Sequence, residues 1–124
     1  MFQPNCRMRG KETLLRRLEA NDANTTIATF DTFPMSPDDV NRLARSIQVN
    51  THLLALKLLD CQLRPIDVVS LCSAIKENSS LEEVAVEVFA NYPTEIKESI
   101  QQMQHHLREN IAQKHLGKNA NSHN

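Results

Sequence analysis

The 124 residues carry 14 basic and 15 acidic side chains, a formal charge of −1, and are 40% hydrophobic but only 4% aromatic, without tryptophan. This composition fits one globular domain with an aliphatic core. Near-neutral charge excludes the concentrated basic face of a phosphate-backbone binder, and the chain has no apolar run of the roughly 18 residues that a membrane helix needs.

The opening MFQPNCRMRG lacks the apolar stretch of a secretory leader. Leu14, Leu15 and Leu18 then mark a short amphipathic helix, and residues 1–21 are read as an N-terminal helical cap. Arg7, Arg9, Lys11, Arg16 and Arg17 make this cap basic, as a solvated surface. Cys6, Cys61 and Cys72 are an odd number with no CxxC pair, so free thiols in a reducing, cytoplasmic compartment are expected.

From Asp22 to Asn110 the sequence repeats every 28 residues. Pro37, Pro65 and Pro93 keep that spacing, as do Asn50 and Asn78, with Asp22 one unit earlier. Each unit has two textures. Leu56 and Leu58, preceded by Leu53, alternate as a short strand does, and Leu81, Val84 and Val86 repeat them; Ala28 and Phe30 stand at the matching places before them. Val68, Leu71, Cys72 and Ile75 then fall on one helical stripe, as do Val40, Leu43, Ala44 and Ile47, and later Ile96, Ile100, Met103, Leu107 and Ile111. Proline suits the first helical position, Ser36 suits the cap before it, and Asn50 and Asn78 are expected to end their helices in a left-handed conformation. The predicted fold is therefore α/β: about three strand–helix units over residues 22–110, a parallel sheet on the concave side, helices on the convex side and a helical cap at each end. Residues 111–124 hold the end of the last helix, to about His115, and a polar tail, GKNANSHN, read as disordered.

The spacing of Leu53, Leu56, Leu58, Cys61 and Leu63 resembles the leucine-rich repeat, and the 28-residue length and the segment IKENSSLEEV resemble its ribonuclease-inhibitor-like class. The first unit departs at Thr25 and Phe33, the third at Phe89 and Asn91, so both read as terminal repeats. The resemblance implies a short solenoid whose concave sheet face binds another protein. Strand alternation names the outward side chains: Ile27, Thr29 and Asp31; Ala55, Lys57 and Leu59; Glu83, Ala85 and Glu87. Asp60, Gln62, Asn91 and Tyr92 follow the strands as loop contacts. An apolar centre with acidic flanks suits a protein partner carrying basic groups, in a monomer or a one-to-one complex.

No GxSxG, HExxH or glycine-rich phosphate loop occurs, and no histidine pairs at i, i+4 with another histidine or a cysteine. A Cys72–His52 dyad is the best catalytic candidate. It is set aside because Cys72 lies on the inward stripe and a reactive thiol needs a polar, partly open setting. No catalytic residue, metal or cofactor is expected. The resemblance implies an inhibitor that covers the active site of its partner, and is similar also to small leucine-rich-repeat effectors that intracellular bacterial pathogens deliver into the host cytosol. The alternative is a scaffold or capping fragment of a larger repeat protein, tropomodulin-like or immune-receptor-like.

Overall fold

The computed structural model describes residues 6–122, with side chains from Gly10 to Leu116. Seven elements follow in order: α1 (Cys6–Glu19), β1 (Ile27–Asp31), α2 (Pro37–Val49), β2 (Ala55–Leu59), α3 (Pro65–Lys76), β3 (Glu83–Val86) and α4 (Thr94–Ser122). The strands form one parallel sheet in the order β1-β2-β3, and consecutive helices pack on one another. The coarse expectation holds: an α/β chain with four helices and a three-stranded parallel sheet. Its finer part, a leucine-rich-repeat solenoid, is not shown by this arrangement.

The 28-residue interval is also the pairing register. Ile27 pairs with Ala55 and Ala55 with Glu83; Phe30 pairs with Leu58 and Leu58 with Val86. Each strand thus places like residues side by side, and Ala28, Phe30, Leu53, Leu56, Leu58, Leu81 and Val84 turn into the core. The helical stripes meet them: Val40, Leu43 and Ile47; Val68, Leu71, Cys72 and Ile75; Ile100, Met103 and Leu107. Leu15 and Leu18 close the N-terminal end of that core.

Helix starts follow local chemistry. Ser36 accepts from the Asp39 N–H at 3.1 Å, while Asp39 Oδ2 accepts from the Ser36 N–H at 3.0 Å, a reciprocal cap ahead of Pro37. Asp67, one repeat later, accepts from the Arg64 N–H at 2.9 Å and from its guanidinium. Pro93 departs from its expected place, because α4 begins at Thr94 and Pro93 only supplies a carbonyl to the Ile96 and Lys97 N–H groups.

One expectation needs correction. Asn50 and Asn78 do not adopt a left-handed conformation; Asn50 is extended (φ −73°, ψ 137°), and positive φ falls instead on Asn21, Thr32, Asp60 and Gln62. The asparagines are buried because their amides join neighbouring units. Asn50 Nδ2 donates to Leu18 O at 3.3 Å and its Oδ1 accepts from the Leu53 N–H at 2.8 Å; Asn78 repeats this toward Ile47 O at 2.7 Å and from the Leu81 N–H at 2.7 Å. The helical backbone of α4 runs through Ser122, a stretch with no proline to stop it. The side chains of Cys6, Arg7 and Arg9, and His123 entirely, lie outside the described residues.

Along its length α4 supplies side chains to the last unit's backbone. Gln104 donates to Val84 O, Asn110 to Asn78 O and Leu81 O, and Lys114 to Ser80 O, while His106 Nε2 lies 2.7 Å from Asn78 O. These bonds satisfy carbonyls that a further unit would otherwise meet. At the other end Arg42 of α2 grips Glu12 and Glu19 of α1, and Lys11 bonds Asp39 at 2.7 Å.

Those ion pairs give the fold an acid limit. Hydrogen bonds from Arg42 and then Arg16 hold Glu12 at about 2, and the Arg64 guanidinium lowers Asp67. Burial pushes Asp39 up, yet bonds from Lys11 and Ser36 outweigh it and the net shift is downward. Each folded-state value lies below its unfolded value near 4, so the stabilisation is complete above about pH 5 and is lost as pH falls toward about 2. Urea midpoints should hold level from neutral pH to about 5 and then drop steadily; a midpoint as high at pH 3 as at pH 7 would remove these carboxylates from the account.

Candidate protein-binding surface

The sheet face turned away from the helices forms in three rows fixed by register: Ile27, Ala55, Glu83; Thr29, Lys57, Ala85; Asp31, Leu59. Ile27 is 61% exposed, Thr29, Asp31, Leu59 and Glu83 are exposed, and Lys57 and Ala85 are half-buried. Ala55 is a correction: it is only 8% exposed, because a lone methyl in the central strand is shaded by Ile27 on one side and Glu83 on the other. Glu87 also departs from expectation. It follows the end of β3, and its Oε1 accepts from the Asp60 N–H at 2.9 Å, so it belongs to the loop rim rather than to a strand row.

That rim encloses a recess of about 270 Å³ at the C-terminal ends of β2 and β3. Leu58, Val86 and Leu63 form its apolar base, Asp60, Gln62 and Glu87 its polar edge, and Phe89 and Tyr92 its wall. The two rings stand edge to face, centroids 5.4 Å apart at 87°, and the Tyr92 N–H donates to Phe89 O at 3.0 Å. Of the expected loop contacts, Asp60, Gln62 and Tyr92 come together here; Asn91 is exposed but does not line the recess. Phe89 was not among the expected contacts. Its signal was legible as the large aromatic standing where the second unit has Cys61.

The charge of this rim reaches inward. Burial raises the Cys61 thiol, and the carboxylates of Glu87 and Asp60 add to the effect. Burial likewise raises the Tyr92 hydroxyl, with Glu87 contributing. Cys61 is buried, its Sγ 3.2 Å from Phe30 O, as a small core residue would be.

A larger furrow of about 650 Å³ runs between α3 and α4. Its polar groups largely answer one another: Lys76 donates to Gln102 at 3.3 Å, His105 lies 3.5 Å from Glu109, and His106 is engaged by Asn78 O. Among the described residues no three His, Cys, Asp or Glu side chains gather as a metal site would require. Cys72 is buried on α3, where burial pushes its thiol up to about 11, while His52 Nδ1 sits 3.1 Å from Asn21 O in another unit. The two do not form a dyad.

No protein-family model matches the chain, and no curated protein matches it. Among solved structures it is similar to one titled Leiomodin-1 Actin-Binding Site 2 (ABS2), at 10% identity and a TM-score of 0.48, covering 90% of this chain and 96% of that one. It is also similar to the tropomodulin C-terminal domain of Caenorhabditis elegans, at 14% identity and a TM-score of 0.40, covering 86% and 98%. The expected membership of the ribonuclease-inhibitor-like leucine-rich-repeat class is corrected by these findings, and with it the inhibitor and effector roles that the resemblance implied: the structures found are actin-binding and tropomodulin domains. The physical reason lies in the sequence, where only the second unit keeps the full leucine spacing and Thr25, Phe33, Phe89 and Asn91 break it on both sides.

Proposed function

We propose that the chain is a non-catalytic docking module of the scaffold kind, which presents its open sheet face and the adjoining rim to one protein partner carrying basic side chains. The observation that carries this reading is the register, which sets Asp31 beside Leu59 and continues through Asp60 to Glu87 and the aromatic pair. Apolar side chains ringed by carboxylates, on a rigid sheet, suit a protein surface better than a nucleic acid, whose phosphates these carboxylates would repel. The module needs no cofactor, works as a monomer or in a one-to-one complex, and operates in the reducing cytoplasm, where its buried free thiols Cys61 and Cys72 persist.

The direct test is affinity capture followed by titration with wild type and the double variant Asp31→Lys, Leu59→Arg. Reversing the Asp31 charge and setting a second cation beside it at the centre of the contact opposes a basic partner twice and should weaken binding at least about 100-fold. A partner held with unchanged affinity by the double variant would move the interface off this face.

A further inference from the structure

The recess at the rim has a shape and charge that select one kind of group, and this inference rests on the docking role just given. We propose that it seats a single lysine side chain of the partner. The apolar base of Leu58 and Val86 takes the methylene stem; the faces and edges of Phe89 and Tyr92 flank it; the ammonium lies between the carboxylates of Asp60 and Glu87.

Volume, chemistry and geometry agree. About 270 Å³ is below the usual range of small-molecule pockets but ample for one side chain. Carboxylates at the mouth of an apolar recess attract a cation and repel an acid, and their field already acts on the neighbouring Cys61 and Tyr92 groups. Lysine is favoured over arginine because the charge of the rim is divided between two acids, Asp60 and Glu87, rather than held by one. A guanidinium fork uses both oxygens of a single carboxylate, and Glu87 Oε1 already accepts from the Asp60 N–H, so Glu87 serves a fork less well than it serves a point charge. An ammonium is a compact charge on a flexible stem and can use one oxygen from each acid. The rim is also held in shape. Asp60 and Gln62 have φ of 52° and 55°, and the Asp60 N–H is tied to Glu87 across the gap between units.

The experiment is an amide-shift NMR titration of the full chain with n-butylammonium, n-butanol and butyrate. n-Butylammonium should shift the amides of Asp60, Gln62 and Glu87 in the millimolar range, about tenfold more tightly than n-butanol, and butyrate should leave them unmoved. Glu87→Gln keeps an acceptor for the Asp60 N–H, and Asp60→Asn tolerates the positive φ, so both preserve the fold; each should cost the ammonium probe about tenfold and leave n-butanol unchanged. Equal affinity for n-butanol and n-butylammonium would leave an apolar cleft without cation selection and overturn the proposal, as would full ammonium binding by Glu87→Gln. Absence of any shift up to about 100 mM n-butylammonium would also overturn it. Failure here is separable from failure of the docking role. A captured partner that is lost with Asp31→Lys, Leu59→Arg but kept by Glu87→Gln and Asp60→Asn retains the face and discards the lysine seat.

Discussion

Asn78→Ala should destabilise the protein by about 3–5 kcal/mol, read as a fall in the urea midpoint at unchanged m-value. The side chain is 2% exposed and satisfies four backbone groups at once. Its Nδ2 donates to Ile47 O and Asn50 O, at 2.7 and 2.9 Å, and its Oδ1 accepts from the Ser80 and Leu81 N–H groups, at 2.8 and 2.7 Å. Alanine fills little of the space and leaves Ile47 O and the Ser80 and Leu81 N–H groups without this partner in a low-dielectric interior, with Asn50 O keeping only a long bond from Ser80 Oγ at 3.4 Å, and an unmade bond there costs about 1–3 kcal/mol. Partial rescue by water would place the loss at the lower end of the range. Asn78→Asp tests the donor half separately. A carboxylate keeps the bonds from Ser80 and Leu81 but faces the Ile47 and Asn50 carbonyls with an acceptor, so its pKa in the fold is raised. The protonated acid restores a donor; its penalty is therefore smallest below the unfolded value near 4 and grows as pH rises through the folded value. A loss under about 1 kcal/mol for Asn78→Ala, or an Asn78→Asp penalty independent of pH, would show that the amide is not what joins the units.

The same residues show where sequence reasoning reached and where it stopped. A fixed interval of 28 constrains which residues lie side by side, because parallel strands separated by equal insertions pair like with like; Ile27, Ala55 and Glu83 follow from arithmetic once the strands are placed. Helical stripes were equally visible, since burial along a helix leaves a period. The role of Asn50 and Asn78 was not. Their position after each helix matches a left-handed stop as well as a buried linker, and only the carbonyls of the preceding unit, about thirty residues away in sequence, distinguish them. Alternation gives Ala55 a direction but not its shading by neighbours. The recess is half legible: Asp60, Gln62 and Tyr92 are polar loop residues of the usual kind, whereas Phe89 stands in Cys61's place one unit on and reads as a departure from the repeat, its contact with Tyr92 being visible only in the fold. The caps differ in the same way. Leu15 and Leu18 announce themselves by periodicity, but Gln104, Asn110 and Lys114 act on backbone carbonyls and leave no apolar pattern.

Phe30→Ala should cost about 3–5 kcal/mol, the loss expected when a fully buried ring leaves a cavity in a packed core. The ring is 0% exposed and meets Phe33 edge to face, centroids 6.4 Å apart at 80°. Phe33 in turn reaches α1, with its Cζ 3.4 Å from where a Cβ on Gly10 would stand. Removing Phe30 therefore loosens the seat of α1 as well as β1, and the Arg42 clamp on Glu12 and Glu19, being exposed to solvent, offsets little of that loss. The register supplies the control. Leu58 and Val86 occupy the same place in the next two units, so the site shrinks from Phe through Leu to Val along the sheet, and Val86 is only half-buried. Phe30→Leu should cost about 1–2 kcal/mol because the leucine already fits this position one unit on, and Val86→Ala about 1 kcal/mol because part of its surface stays wet. The order Phe30→Ala, Phe30→Leu, Val86→Ala in urea midpoints tests whether packing is graded along the sheet. Equal losses at the two ends would mean that the core is uniform and that the N-terminal helix adds nothing to the Phe30 site.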